Sequence, residues 1–305
     1  MTRDRSGSAE KYHRTVDQEG GGVHARALAL TGEGRRVLEL GCATGHVTAA
    51  LKSRGHHVVG VEVDPVSAER ARQVADEVLV ADLDATDLLA VVGDRRFDVA
   101  LMGDVLEHLR DPGSVLREVV DVLDVGGYAV ISVPNVAFID TRTALLDGLW
   151  EYRDDGLLDA THLRFFTRRS LFELVRSAGL VVTDFQPVVW PVGMSNVQPP
   201  QPLLGPFVSD LVTLDPNAHT YVFVVKAERA DASANAKAHA LESEIIERER
   251  VAREQIAARL GDRASLEARA TAAEAELVAI RSTKLFRWSA LPRRAYARLR
   301  NPSRR

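Results

Sequence analysis

A short glycine-rich turn and four acids are spaced as a site for a sugar-bearing ligand would require. Gly41-Cys42-Ala43-Thr44-Gly45 follows the apolar run at 36–40 and leads into a helical pattern near His46. Small residues at such a turn let the backbone bend sharply and approach a ligand closely. Glu39 precedes Gly41 by two residues, and Glu62 ends the next apolar run. An acid at the end of the second strand can accept both hydrogen bonds of a ribose diol. Asp82 and Asp104 close later runs, along the edge where open α/β sheets bind ligands. An acidic rim of this kind suits a cationic ligand. A dinucleotide fingerprint of the G-x-G-x-x-G type fails here, because Ala43 and His46 stand at its second and third glycine positions.

A second cluster, DATHLRFFT at 159–167, holds residues for acid–base work. His162 has the side chain best suited to proton transfer near neutral pH. In a catalytic reading His162 is the general base, Asp159 orients its imidazole and Arg164 binds an acidic or hydroxylated substrate. In a structural reading Thr161 caps a turn, His162 satisfies buried carbonyls, and Phe165 and Phe166 fill core. Thr167 is then the N-cap of the following helix. His108 reads as packing on a helical stretch, His46 as a neighbour of the ligand or of solvent, and Cys42 as a small residue that fits, with no redox role.

These residues need a scaffold that brings strand ends together. Valine-rich runs at 36–40, 57–63, 77–80, 97–102 and 128–133 alternate with amphipathic stretches such as 65–75 and 114–124. Short runs of this kind between helical segments predict βαβ units and a parallel sheet buried on both faces. A short helix begins at Val23, another spans 168–178, and strand-like runs follow at 180–185 and 220–226. Seven of the twelve prolines lie from Pro187 to Pro216, so 187–217 reads as a lid or substrate-facing loop.

On its motifs, 36–135 resembles a class I S-adenosylmethionine-dependent methyltransferase. VLELGCATG resembles the first motif of that family, with Ala43 where glycine is commoner. VVGVEVDP resembles the second strand, whose terminal acid, here Glu62, grips the ribose. VLVADLDATDL resembles the third, placing Asp82 and the Leu83 backbone beside the adenine. FDVALMGDVLEHLRDP resembles the fourth, with Asp104 facing the cofactor, and GGYAVISVPN the fifth. The resemblance implies a Rossmann-like seven-stranded sheet with helices on both faces and S-adenosyl-L-methionine as cofactor. It also implies a cofactor set of Glu39, Gly41, Cys42, Ala43, Gly45, Glu62, Asp82, Leu83 and Asp104. The stretch 155–180 resembles the D-x-T-H-x-R-F-F-T segment of the ubiquinone-methylase-like branch, many of whose members are associated with bacterial glycan or natural-product sugar synthesis. The end of the chain resembles tails of proteins found with bacterial glycosyltransferases. The activity implied is methyl transfer to a hydroxyl of a sugar or glycan precursor. The alternatives are N- or C-methylation of a small natural-product or quinone-like acceptor, and a methyltransferase-fold scaffold for polysaccharide assembly.

Composition bounds these readings. The chain has 305 residues, 46% hydrophobic and 27% charged, which is ordinary for a globular protein. One cysteine excludes an intrachain disulfide and fits a reducing cytoplasm. Neither a signal-peptide pattern nor an apolar run of membrane-spanning length is expected, nor a metal site or a nucleic-acid partner. The expected divisions are a lead-in at 1–22, a methyltransferase domain at 23–228, a helical extension at 229–284 and a basic tail at 285–305. In the extension Leu266, Ala270, Ala273, Leu277 and Ile280 form a short heptad seam, which would serve a coiled coil or homo-oligomer. The tail mixes Phe286, Trp288 and Tyr296 with arginines. That mixture suits an anionic membrane surface at its inner face, or an acidic protein partner.

Overall fold

The structure is a computed structural model and describes residues 20–197 and 215–282. Seven strands form one sheet: β1 (Arg36–Leu40), β2 (His57–Glu62), β3 (Glu77–Val80), β4 (Phe97–Gly103), β5 (Leu123–Pro134), β6 (Leu180–Val189) and β7 (Thr220–Arg229). Their order is β3-β2-β1-β4-β5-β7-β6. β1 to β5 pair in parallel, and β7 runs antiparallel to both β5 and β6. The fold is therefore the Rossmann-like methyltransferase arrangement that the motifs imply.

The helices are α1 (Val23–Thr31), α2 (His46–Ser53), α3 (Pro65–Ala71), α4 (Leu88–Val92), α5 (Pro112–Val122), α6 (Ile139–Leu146), α7 (Arg168–Ser177) and α8 (Ala232–Ser282). Alternate residues of a strand point to opposite sheet faces, and both faces here are covered. Leu38, Leu40, Val61, Met102 and Ile131 pack with Leu116 and Val119 of α5 and Leu171 of α7. Val37, Val58, Val99 and Val130 pack with Leu28 of α1 and Leu51 of α2. This two-sided burial is why the strands read as continuous Val-rich runs.

Several boundaries differ from the sequence expectation for local reasons. β5 starts at Leu123 and crosses a register irregularity opposite Phe97 and Val99, with Gly126 at φ 75°. The helix before it thus ends at Val122. β6 runs on through Pro187 to Val189, because it is an edge strand whose outer side needs no ladder donor. Gly193 and Ser195 are tied by their backbone N–H groups to the buried carboxylate of Asp140. Most of the expected lid, 198–214, lies outside the described residues, as does the basic tail at 285–305.

The chain divides into two compact units, one up to Val251 and one from Ala252. The first unit keeps the start of α8, because Ala234, Ala238 and Ile245 are buried and Arg168 and Arg176 pair with Glu249 and Glu242. In the second unit α8 continues to Ser282, and Leu266 and Leu277 of the heptad seam are exposed. Among the described residues no helix is long and apolar enough to cross a membrane.

Asn135, fully buried at the end of β5, donates to the Thr220 and Asn217 carbonyls and accepts from Ala137 N–H. Asn135→Ala leaves those buried groups unpaired. It is expected to lower stability by about 2–4 kcal/mol in denaturant unfolding.

Candidate active site

The glycine turn, the acids after the strands and the 159–167 segment lie along the C-terminal edge of the parallel strands. β1 ends at Leu40 and enters the glycine turn. Gly41 has φ 70°, Gly45 has φ 88° and Ala43 also lies in the left-handed region at φ 46°. A Cβ at Gly41 would stand 2.8 Å from Val105 Cγ2, and one at Gly45 2.7 Å from Val74 Cγ2. Both positions therefore need glycine for space as well as for backbone freedom.

Glu62 is buried at the end of β2 and fastens the turn from the side. One of its carboxylate oxygens accepts from Ala43 N–H at 2.9 Å and the other from Asp64 N–H at 2.8 Å. Each oxygen keeps acceptor capacity for a diol beyond that single N–H. Glu39, also buried, accepts from Thr48 Oγ1 of α2 at 2.5 Å. Burial, opposed by the Thr48 hydroxyl and assisted by the charge of Glu62, pushes the Glu39 carboxyl up to about 7. Asp82 sets its own loop by accepting from Asp84 N–H, and Leu83 packs partly into the core beside it.

Cys42 turns inward. Its thiol fills the space that Gly60 leaves open, where a Cβ would lie 2.7 Å from Sγ. With Ala68, Ala71 and Val78 it forms a small apolar cluster, and burial pushes the thiol far above its usual range. Cys42 is thus a packing residue whose backbone alone belongs to the turn.

After β4 the chain makes a tight bend. Asp104 adopts φ 54° and accepts at Oδ1 from Ser132 Oγ at 2.7 Å. Non-glycine residues in this conformation store about 1–2 kcal/mol, and such strain gathers at functional sites. The next turn, Leu106–His108, is a 3-10 helix. Its Glu107 carbonyl accepts from both Leu163 N–H at 2.8 Å and Arg164 N–H at 3.0 Å. Val136 N–H bonds to the Phe166 carbonyl at 2.9 Å. These links pin DATHLRFFT against the ends of β4 and β5.

His162 lies in that clamp, 9% exposed, its ring 4.8 Å from the His108 ring in an edge-on arrangement. Its Nδ1 is 3.3 Å from the Leu157 carbonyl. Burial and the neighbouring His108 push its pKa down to about 4, against the charge of Asp159. The ring is therefore neutral at physiological pH.

Its neighbours also make local contacts. Asp159 Oδ1 accepts from the backbone and hydroxyl of Thr161, so Asp159 builds the turn carrying His162. The His162 ring has its Nδ1 at the Leu157 carbonyl. Arg164 is exposed and donates to the Arg110 carbonyl at 2.5 Å. Phe166 is core, Phe165 packs edge-on against Trp150, and Thr167 caps α7 in a capping box with Ser170.

Glu107 has no counterpart among the sequence candidates. It is 1% exposed, and among the described residues neither of its carboxylate oxygens has a hydrogen-bond partner. Burial first, then the charges of Asp104 and Asp159, raise its pKa well above the usual carboxylate range. Glu107, His108 and His162 each bring one potential ligand atom within 4.8 Å of the others. No metal-ligand spacing exists in the sequence; the grouping arises only because two distant segments are clamped together. Chemically it offers two imidazoles and a carboxyl for proton handling, or three donors of the kind a divalent cation accepts.

A family profile described as a methyltransferase domain matches residues 12–184. The chain belongs to that family of methyltransferases. It is similar to the ubiquinone biosynthesis O-methyltransferase of Cereibacter sphaeroides, with 32% identity over 174 residues, 54% of this chain and 69% of that one. The Ruegeria pomeroyi enzyme of the same name is 33% identical over 174 residues, 53% of this chain and 68% of its own. A solved Burkholderia thailandensis 1,6-didemethyltoxoflavin-N1-methyltransferase, with S-adenosylhomocysteine bound, aligns at TM-score 0.47 and 22% identity, covering 74% and 85% of the two chains.

The glycine cradle, the spare acceptor capacity of Glu62 and the buried, unpartnered Thr44 hydroxyl fit an adenosyl amino acid at this edge. Gly41→Ala introduces both the left-handed penalty and a clash. It is expected to cost about 2 kcal/mol or more and to weaken S-adenosylhomocysteine binding at least about tenfold by calorimetry.

Glu107 keeps its proton in the folded state above the pH at which the unfolded chain releases it. Stability is thus fully present below about pH 4.5 and falls as pH rises through the raised folded value. Glu107→Gln should remove that part of the decline, so melting curves above neutral pH should show it at least as stable as the wild type.

Proposed function

We propose that this methyltransferase uses S-adenosylmethionine to methylate a hydroxyl group of a sugar or glycan precursor, with His162 as the general base. The observation that carries the reading is a neutral, buried imidazole clamped at the strand edge that also carries the glycine turn, Glu62 and Asp104. When bound, the cofactor supplies a methyl group on a sulfonium centre. Glu62 holds the ribose, the glycine turn admits the amino-acid portion, and Asp104 adds negative charge near the cationic end. The 162–166 clamp presents His162 to the incoming hydroxyl, and a base so placed contributes about a hundredfold to ten-thousandfold. Burial of His162 limits water at the imidazole, and the clamp fixes the orientation on which an in-line displacement depends.

The relatives named for ubiquinone biosynthesis are O-methyltransferases, which supports oxygen as the atom methylated. They also support a second acceptor class. A base held near 4 is weak for an alcohol and better matched to an acidic phenolic hydroxyl, so a quinone-like phenol is the alternative acceptor. A screen with methyl-labelled cofactor separates the two. Label in nucleotide-sugars or lipid-linked sugars supports the first class, and label confined to catechols the second. No label in any hydroxyl acceptor removes the O-methylation reading.

The pH profile provides an independent check. Because His162 is neutral above its depressed value, the acid limb of kcat is expected below about pH 5. A limb centred near 6.5, the ordinary histidine value, would show that His162 is not held at a depressed value during turnover.

A further inference from the structure

Beside this site, an open groove of about 670 Å³ runs between the start of α5 and the exposed side of α7. Arg110, Arg117 and Arg164 line it, along with Asp111, Ser170 and Glu173. The two acids are already engaged. Asp111 caps α5 by accepting from Ser114 N–H, and Glu173 pairs with Arg169. The cations are not matched in this way. Among the described residues the Arg110 and Arg117 guanidinium groups make no hydrogen bond or ion pair, and that of Arg164 contacts only the Arg110 carbonyl. Three permanently charged forks around one groove, with their own acids diverted, form an anion site awaiting its partner.

The groove adjoins the reaction centre. Arg164 is two residues from His162, a backbone reach of at most about 7 Å. Arg110 follows the 3-10 turn that bears Glu107 and His108. The groove is larger than one phosphate group requires, and its three forks offer more donors than a single carboxylate uses.

The geometry points to a subsite for a diphosphate group carried by the methyl acceptor. This rests on the methyl-transfer reading of the adjoining edge and narrows it: the acceptor is a diphosphate-bearing hydroxyl compound, held by its anionic end while the hydroxyl reaches His162. The diphosphate could belong to a soluble nucleotide conjugate or to a membrane-borne polyprenyl conjugate, and the chemistry of recognition is the same for both.

The test is calorimetry on the full chain with inorganic pyrophosphate at low salt, beside flotation with phosphatidylcholine vesicles carrying farnesyl diphosphate. Pyrophosphate should bind the wild type and weaken steeply as sodium chloride is added. Arg110→Gln combined with Arg117→Gln should lower that affinity at least about tenfold, and Arg117→Glu alone should also lower it. Both residues are exposed and unpaired, so circular dichroism and S-adenosylhomocysteine affinity should not change. Arginine-dependent flotation assigns the diphosphate to a membrane-borne source, and arginine-dependent binding of free pyrophosphate alone to a soluble one. Absence of binding in both arms, or equal binding by wild type and variants, overturns the subsite. If pyrophosphate binds but S-adenosylhomocysteine does not, the methyl-transfer reading falls and the anion site stands.

Discussion

One carbonyl, that of Glu107, accepts two backbone N–H groups from the segment carrying His162. Much of the site depends on that shared acceptor. It joins the turn after β4 to a loop far along the chain, while the Val136–Phe166 bond joins the same loop to the end of β5. Two neighbouring parallel strands thus fix where His162 stands. The sheet, sealed by Val and Leu on both faces, keeps those strand ends in register. The glycine turn, Glu62 and His162 therefore share one edge, with Glu62 bonded to the turn at Ala43 N–H.

The electrostatics of this edge favour neutrality at rest. Burial pushes Glu39 up to about 7, holds Glu107 protonated and keeps His162 deprotonated. An acidic rim of fully ionised carboxylates would repel itself; here burial removes part of that charge at Glu39 and Glu107, while Glu62 accepts two backbone N–H groups. A cationic ligand entering this edge would meet acceptors already aligned. The groove beside the clamp is lined by three arginines, so it suits an anionic part of a ligand where the strand edge suits a cationic one.

The strand ends and the acids that follow them were legible because each follows a short Val-rich run at a spacing that topology turns into proximity. Glu62 at the end of β2 and Asp104 at the end of β4 are of this kind. Glu107 was not legible: in sequence it is one acid in a polar stretch, and only burial beneath the 162–164 clamp makes it a neutral carboxyl beside two imidazoles. Asp159 could be located but not assigned, since an acid two residues before a threonine serves a turn as readily as it serves a histidine. Gly60 gave no signal either, because its reason is the Cys42 thiol on the adjoining turn. The length of β6 was missed because proline usually ends a strand, and only its edge position allows Pro187 to remain in one.

The central claim is that His162 acts on the acceptor at an edge that binds the cofactor without its help. Single-turnover methyl transfer by His162→Ala, measured with its S-adenosylhomocysteine affinity, tests this most directly. The account predicts unchanged affinity and a rate lower by about a hundredfold to ten-thousandfold. Wild-type turnover in that variant, with the cofactor bound as before, would contradict it.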